Sequence, residues 1–475
     1  MRNILFVASE GLPYIKSGGL ADVIGSLPQQ INSDDYHCSV VLPLYKKIKD
    51  KYELEKLNDF PVHSGKINTT ASLYKTNNEN VEFYFIGNDR YFYRDGLYGY
   101  VDDGERFAFF SKAVLEMLNV IDFKVDILAC NDWHTGMVPI LCKKEYTDSY
   151  HRNIKTTYTI HNLLFQGNFP KDLLDYFNLD RFYYNNGDIK FDDGISFMKA
   201  GILYADKVLT VSQTYAQEIL TEEYSERMEG PLRYRKDDLV GIVNGIDTNM
   251  WDPETDKLIP VNYSARKMSG KKKCKKEVQK SLGLREADDV LLIGMISRLT
   301  WQKGVSLLLE KLSSIMNQDV QLVILGTGEN YIESQFKQLE HIYPHRAVFY
   351  CGYSEELSHK IYSGVDLLLM PSLFEPCGIS QLIAMRYGAL PLVREVGGLK
   401  DTVAPYNEYE HTGNGFSFRY FNGDELMNVL NYAIYVYYYK KKDWKLLMKN
   451  AMNTDVSWTN SAKKYVALFD EMLKK

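Results

Sequence analysis

The sequence predicts an α/β protein built as two doubly wound, Rossmann-like domains that face each other across a deep cleft. Three observations predict it. The chain has 475 residues, more than a single hydrophobic core usually serves. Short apolar, often β-branched runs alternate with helix-patterned segments in both halves, the pattern of parallel sheets covered by helices. The loops after those runs gather Gly, Lys, Arg, His and Glu, and open α/β sheets bind ligands at those strand ends.

Composition narrows the function. Lys and Arg number 56 against 62 Asp and Glu, a formal charge of −6. No net attraction toward nucleic acid or anionic lipid follows, and neither is expected as a partner. The basic run 271–276 reads as a solvated helix start or a linker. The six cysteines include no CxxC pair and fit reduced thiols in a cytoplasmic protein. The N-terminus reaches Glu10 too early for a signal peptide, and no apolar run is long enough to span a membrane.

Residues 4–8 form the first strand. The loop after it carries Lys16, Gly18 and Gly19 ahead of a helical pattern. Glycines let backbone approach a phosphate closely and Lys16 supplies a cation, although a tight turn before a helix would look the same. The loop matches neither the P-loop nor the full dinucleotide fingerprint. Strands follow at 40–42 and 81–86, the second after a polar stretch assigned no element. Residues 91–100 are dense in Tyr, whose apolar face and polar edge suit sugar rings as well as a packed loop. After a helix at 105–119, the strand 125–130 ends in Asn131-Asp132-Trp133-His134. The strand 155–160 ends in His161-Asn162. Two successive strands ending in His-containing polar clusters point to a shared cleft. A helix at 198–205, a strand at 207–211 with Ser212 as the next N-cap, and a strand at 239–243 lead to a glycine turn at Asn244, where the domain boundary is placed.

The second half repeats the pattern. The strand 290–296 precedes a turn carrying Arg298 and Lys303, two cations beside a helix N-terminus that would hold a diphosphate. The strand 320–325 leads to Gly326 and Gly328, but Tyr331 stands where a third fingerprint glycine would fall, which argues against a dinucleotide. Tyr353 follows the strand 347–351. The apolar run 365–370 reads as a strand buried on both faces. A turn with Glu375, Cys377 and Gly378 comes next, then a helix at 379–387. Glu375 there is either a sugar-hydroxyl acceptor or a capping acid, and Cys377 and Gly378 offer backbone N–H groups. A strand at 390–393, a helix after Gly397-Gly398, and helices beyond Asp424 complete the chain.

Together, Lys16-Ser17-Gly18-Gly19-Leu20, Asn131-Asp132-Trp133-His134, His161-Asn162, Asn244-Gly245-Ile246-Asp247, Ser297-Arg298 with Lys303-Gly304, and Phe374-Glu375-Pro376-Cys377-Gly378 resemble the bacterial glycogen synthases and plant starch synthases. The resemblance runs in order over nearly the whole chain. It implies a GT-B type, retaining glycosyltransferase that carries glucose from ADP-glucose to the non-reducing end of an α-1,4-glucan, with no cofactor and no metal. The implied domains are 1–243 on the acceptor side, 244–456 on the donor side, and a helix at 457–475 that crosses back to the first. Two positions depart from the pattern. Ser17 replaces the usual Thr and keeps the hydroxyl. Ile383 stands where the wider superfamily often has a second acid, so any ribose contact made by that acid must come from another group.

By the same resemblance, Lys16, Gly18, Gly19 and Asn244 lie near the donor phosphates and ribose, and Arg298 and Lys303 bind the diphosphate. Glu375, Cys377 and Gly378 hold the glucose hydroxyls, and Tyr353 stacks on the base. Tyr93, Asp132, His134, His161 and Asn162 lie toward the acceptor, with Asp132 and His161 orienting the sugars. His161, Asp132, Glu375, Arg298 and Lys303 are the catalytic set. A front-face reaction is favoured over a Glu375 nucleophile. The rival reading is another two-domain glycosyltransferase or a sugar-nucleotide epimerase, which would not be expected to carry the Lys16 and Glu375 loops together.

Overall fold

The computed structural model describes residues 1–474. The chain forms two compact units: Met1–Asn244 together with the chain from Trp458 onward, and Gly245–Ser457.

In the first unit the strands are β1 (Arg2–Val7), β2 (Tyr36–Pro43), β3 (Glu55–Ser64), β4 (Ile67–Asn78), β5 (Val81–Gly87), β6 (Ile127–Asn131), β7 (Lys155–Ile160), β8 (Asn168–Pro170), β9 (Lys190–Phe191), β10 (Gly194–Ser196), β11 (Lys207–Thr210) and β12 (Leu239–Gly241). Nine of them make one sheet in the order β12-β11-β7-β6-β1-β2-β5-β4-β3. It is parallel except where β4 pairs antiparallel with β3 and β5. The central strands are apolar on both faces, with Ile4, Leu5, Val7, Val40, Val41 and Leu128 fully buried, as helices on both faces require. The strand order reverses between β1 and β6, so the loops after those two strands diverge and leave a crevice. The helix Thr459–Lys474 closes this unit. Its face Ala462, Tyr465, Leu468, Phe469 and Met472, with Trp458 just before the helix, joins the first core. Asp470 accepts from the Tyr36 hydroxyl at 2.7 Å and pairs with Arg2.

The second unit contains β13 (Leu291–Ile296), β14 (Val320–Gly326), β15 (Ala347–Cys351), β16 (Leu367–Met370), β17 (Leu390–Arg394) and β18 (Phe416–Phe418). Their order is β15-β14-β13-β16-β17-β18, all parallel. This is the 3-2-1-4-5-6 arrangement of a nucleotide-binding sheet, with its switch point between β13 and β16.

Two expectations need correction. The polar stretch before β5 is not elementless but holds the long antiparallel pair β3–β4, at the sheet edge. Burial in β3 alternates only near Phe60, Val62 and Ser64, because one face and the outer edge meet water. The basic run is neither a linker nor wholly solvated. It lies inside the helix Ser269–Ser281, where Lys271 and Lys275 are each 4% exposed. Their spacing of four puts both on the inner face. The Lys271 ammonium donates to the carbonyls of Ser363 at 3.2 Å and Tyr387 at 2.9 Å. Lys275 pairs with Asp366 at 2.7 Å and donates to the Val290 carbonyl. With no carboxylate in hydrogen-bond reach, burial lowers Lys271 to about 8.

Candidate active site

The loops after β13 and β16 flank the switch point of the second sheet, and they are joined to each other. The Leu373 N–H donates to the Gln302 carbonyl at 2.8 Å. Gly304 sits at φ +69°, where a Cβ would lie 1.8 Å from the Pro371 carbonyl oxygen. Only glycine lets the two turns approach this closely. Across that contact the Lys303 ammonium reaches both oxygens of Glu375, at 2.6 and 2.9 Å. Glu375 is 5% exposed and also accepts from the Ser372 hydroxyl at 3.1 Å. A buried carboxylate needs such partners to stay charged. Arg298 is exposed and, among the described residues, has no ion pair, so its guanidinium is open to an anion. Tyr353 is 73% exposed.

The Glu375 turn is held from behind. A Cβ on Gly397 would stand 1.9 Å from the Glu375 carbonyl oxygen, and one on Gly398 2.2 Å from that of Cys377. The Gly398 N–H donates to the Pro376 carbonyl at 3.1 Å. Gln381 donates to the Cys377 and Gly378 carbonyls, both at 3.1 Å. Cys377 is buried and Gly378 has φ +77°. The signal for this clamp was the Gly397-Gly398 pair, first read only as a helix start.

In the first unit the loops after β1, β6 and β7 converge. Glu10, which sequence reasoning passed over, is 4% exposed. It accepts from the Ser17 N–H, and from the Gly18 N–H at 3.2 Å. Burial raises its carboxyl above the ordinary range despite those two bonds. Glu10 therefore sets the shape of the glycine loop, and the Gly18 N–H is engaged by protein. Lys16 is exposed and pairs with Asp22 at 2.8 Å.

Asp132 lies just beyond β6 with φ +54° and ψ −179°, backbone space that residues with a Cβ avoid. The strained turn aims its carboxylate at the chain leaving β7, where it accepts from the His161 N–H at 2.8 Å. Burial pushes the Asp132 carboxyl up to about 7, against the hydrogen bonds from the His161 and Asn162 N–H groups and helped by the Glu10 charge. His161 is half-buried, and burial drops it to about 3, so the ring is neutral near pH 7. Its tautomer follows from Asn131. The Asn131 amide donates to the Val7 and Ala129 carbonyls at 3.1 and 2.9 Å. The Asn131 oxygen is left to accept from His161 Nε2 at 2.9 Å. Nε2 thus carries the proton and Nδ1 keeps a lone pair.

Two of the other expected residues, His134 and Asn162, direct side-chain polar atoms to the protein itself. His134 is an interior residue. Its ring stacks on Trp133 at 3.9 Å, packs on Tyr98 at 4.4 Å and bonds Ser9 Oγ through Nδ1 at 3.1 Å. Burial holds it well below the ordinary imidazole range. A side chain so enclosed supports the β1 and β6 loops and presents no nitrogen to a sugar. Asn162 uses its oxygen to accept from the Leu164 N–H at 3.0 Å, closing the turn after β7. Tyr93 is 43% exposed, with Lys46 and Lys49 above its ring and its hydroxyl on Asp50. Asn244 is buried, and its side-chain oxygen has no protein partner. Among the described residues no group of three or more His, Cys, Asp or Glu is placed to hold a metal ion.

Residues 3–234 match the starch synthase catalytic domain family and residues 276–435 the glycosyl transferases group 1 family. A glycogen synthase of Clostridium beijerinckii is 47% identical over 476 residues, 99% of either chain. One from Caldicellulosiruptor saccharolyticus is 48% identical over 477 residues, 99% of this chain and 100% of the relative. The catalytic domain of starch synthase IV from Arabidopsis thaliana, solved with ADP and acarbose, has a TM-score of 0.93 and 31% identity, covering 100% of both chains. A sucrose-phosphate synthase from Thermosynechococcus elongatus, at a TM-score of 0.64 and 15% identity over 100% of both chains, shares the fold. With two glycosyltransferase sheets in order and near-complete relatives well above the threshold of chance, the chain belongs to the glycogen synthase and starch synthase family of glycosyltransferases.

Proposed function

We propose that this protein is a glycogen synthase that transfers glucose from ADP-glucose to the non-reducing end of an α-1,4-glucan with retention of configuration. The observation that carries the reading is the Lys303–Glu375 pair at the switch point of the second sheet, with Arg298 unpaired on the same loop. In the reaction the bond from the glucosyl C1 to the diphosphate oxygen breaks and negative charge grows on that oxygen. Arg298 and Lys303 are cations of the kind that stabilises such charge without reorganising. The acceptor O4 attacks C1 from the face the diphosphate leaves, and its proton passes to the departing phosphate oxygen. Both oxygens of Glu375 already accept hydrogen bonds. That favours a carboxylate that holds Lys303 and sugar hydroxyls over a nucleophile. The neutral His161 offers Nδ1 to a sugar hydroxyl, and Asp132 fixes the backbone that carries the ring. Lys16, Gly19 and Asn244 are assigned to the donor, Tyr353 to its base, and Tyr93 to the acceptor. Glu10 and His134 are positioning residues.

The test is to supply ADP-glucose labelled in its glucosyl group together with glycogen. Label incorporated into glycogen and then released by β-amylase, which removes α-1,4-linked units from non-reducing ends, is expected. Incorporation that resists β-amylase, or none, overturns the proposal.

A further inference from the structure

The helix Gly423–Tyr439 ends in a run of tyrosines that the reaction does not use. Tyr432, Tyr435 and Tyr439 recur at spacings of three and four, so they form one stripe. Tyr435 is 46% and Tyr439 77% exposed, and their ring centroids lie 5.4 Å apart. Tyr432 is half-buried and stacks on Tyr406 at 6.0 Å with 21° between planes. Tyr406 belongs to the turn 405–412, where Tyr409 is 89% exposed. That turn and Tyr432 line a depression of about 530 Å³ with Asn407, Glu408 and Thr412, a size that suits a small ligand. Glu408 pairs with Lys440, whose ammonium also lies 5.7 Å from the Tyr435 ring centroid. Turn and helix stripe are therefore one continuous surface.

The location separates this surface from the switch-point loops. The Tyr438 hydroxyl donates to the Asp319 carbonyl, ahead of β14, and accepts from the Leu291 N–H at the start of β13. The turn 405–412 precedes β18. The patch thus lies at the N-terminal edge of the sheet, while Lys303 and Glu375 lie at its C-terminal edge. Its apolar content consists of tyrosine rings and one proline, with polar groups around them. Rings with hydroxyl edges suit the alternating C–H faces and hydroxyls of a sugar chain.

We infer that Tyr409, Tyr432, Tyr435 and Tyr439 form a second carbohydrate site that grips an α-glucan chain away from the reaction centre. The ligand class rests on the polymeric acceptor proposed above. A branched polymer has many chains, so one can be held at this platform while another end is extended, which raises the local concentration of acceptor.

The experiment is migration of the full-length protein in native gels cast with glycogen, paired with kinetics on glycogen and on maltotriose. The variants are Tyr435→Ala with Tyr439→Ala, the same pair changed to Phe, and Tyr234→Ala, an exposed tyrosine of the first unit, as a control. Loss of two stacking rings is expected to weaken retardation by glycogen and raise the KM for glycogen by roughly tenfold. Maltotriose kinetics should stay unchanged, and the Phe pair should keep most of the retention. Retention equal to that of the parent protein in the Ala pair overturns the inference, as does an equal loss on maltotriose. Gel retention needs no turnover, so failure of the proposed reaction would appear as retention without transfer.

Discussion

Lys303→Ala tests the pair at the switch point through stability and rate together. The Glu375 side chain is 7% and the Lys303 side chain 18% exposed. Removing the ammonium leaves Glu375 with one neutral donor, Ser372 at 3.1 Å. Breaking a fully buried pair costs about 3–5 kcal/mol. The partly open Lys303 side reduces this to about 2–3 kcal/mol, or a fall in Tm of roughly 4–12 °C for a unit of this size. Glu375→Gln in the Lys303→Ala background removes the stranded charge, so the double variant should be more stable than the sum of the singles by about 1–3 kcal/mol. In the proposed reaction the same ammonium stabilises the charge of the leaving diphosphate, so kcat should fall by about 10²–10³ at saturating donor. Thermal unfolding of the four proteins gives the coupling, and initial rates of nucleotide release give kcat and KM. Additive stabilities would show that the pair is not coupled. A raised KM with full kcat would show that Lys303 only docks the donor.

Further outcomes are expected. Arg298→Lys should lower kcat strongly in a protein that unfolds normally, because a point charge does not reproduce a guanidinium fork on phosphate; parent-like kcat would refute this. Cys377→Ser should stay active, since the turn uses the residue's backbone, while a bulky thiol reagent should inactivate the parent protein and ADP should protect it; an inactive Cys377→Ser would give the thiol itself a role. The Asp132 carboxyl is raised from its unfolded value to about 7, so its contribution is present below the unfolded pKa, near 4, and is lost as pH rises through 7. Asp132→Asn should remove that loss, and equal stability curves for parent and variant between pH 5 and 8 would contradict it. Excess EDTA should leave activity intact, because the chain has no Asp-x-Asp pair of the kind that holds a metal in other glycosyltransferases; activity lost to EDTA and restored by Mg²⁺ would refute this.

The parallel strands were legible because burial on both faces forces continuous apolar runs, as in 4–8 and 290–296. The pair β3–β4 was not, because an edge hairpin with one wet face carries charges and Pro61 in the same span. Lys271 and Lys275 read as surface residues because their carbonyl partners, such as Tyr387, are remote in sequence. The cation and acid loops were visible from Gly, Lys and Glu next to strand ends. That Lys303 bonds Glu375, and that Glu10 shapes the glycine loop, depends on loops meeting in space, which spacing along a chain does not encode. His134 shows the converse: a histidine at a strand end reads as a cleft residue, but Trp133, Tyr98 and Ser9 enclose it.

The central claim is glucosyl transfer from ADP-glucose, and the most direct measurement is kcat/KM for ADP-glucose and for UDP-glucose with glycogen as acceptor. A clear preference for ADP-glucose, with one nucleoside diphosphate released per glucose incorporated, is the predicted result. Equal or greater efficiency with UDP-glucose, or nucleotide release without incorporation into glycogen, would contradict it.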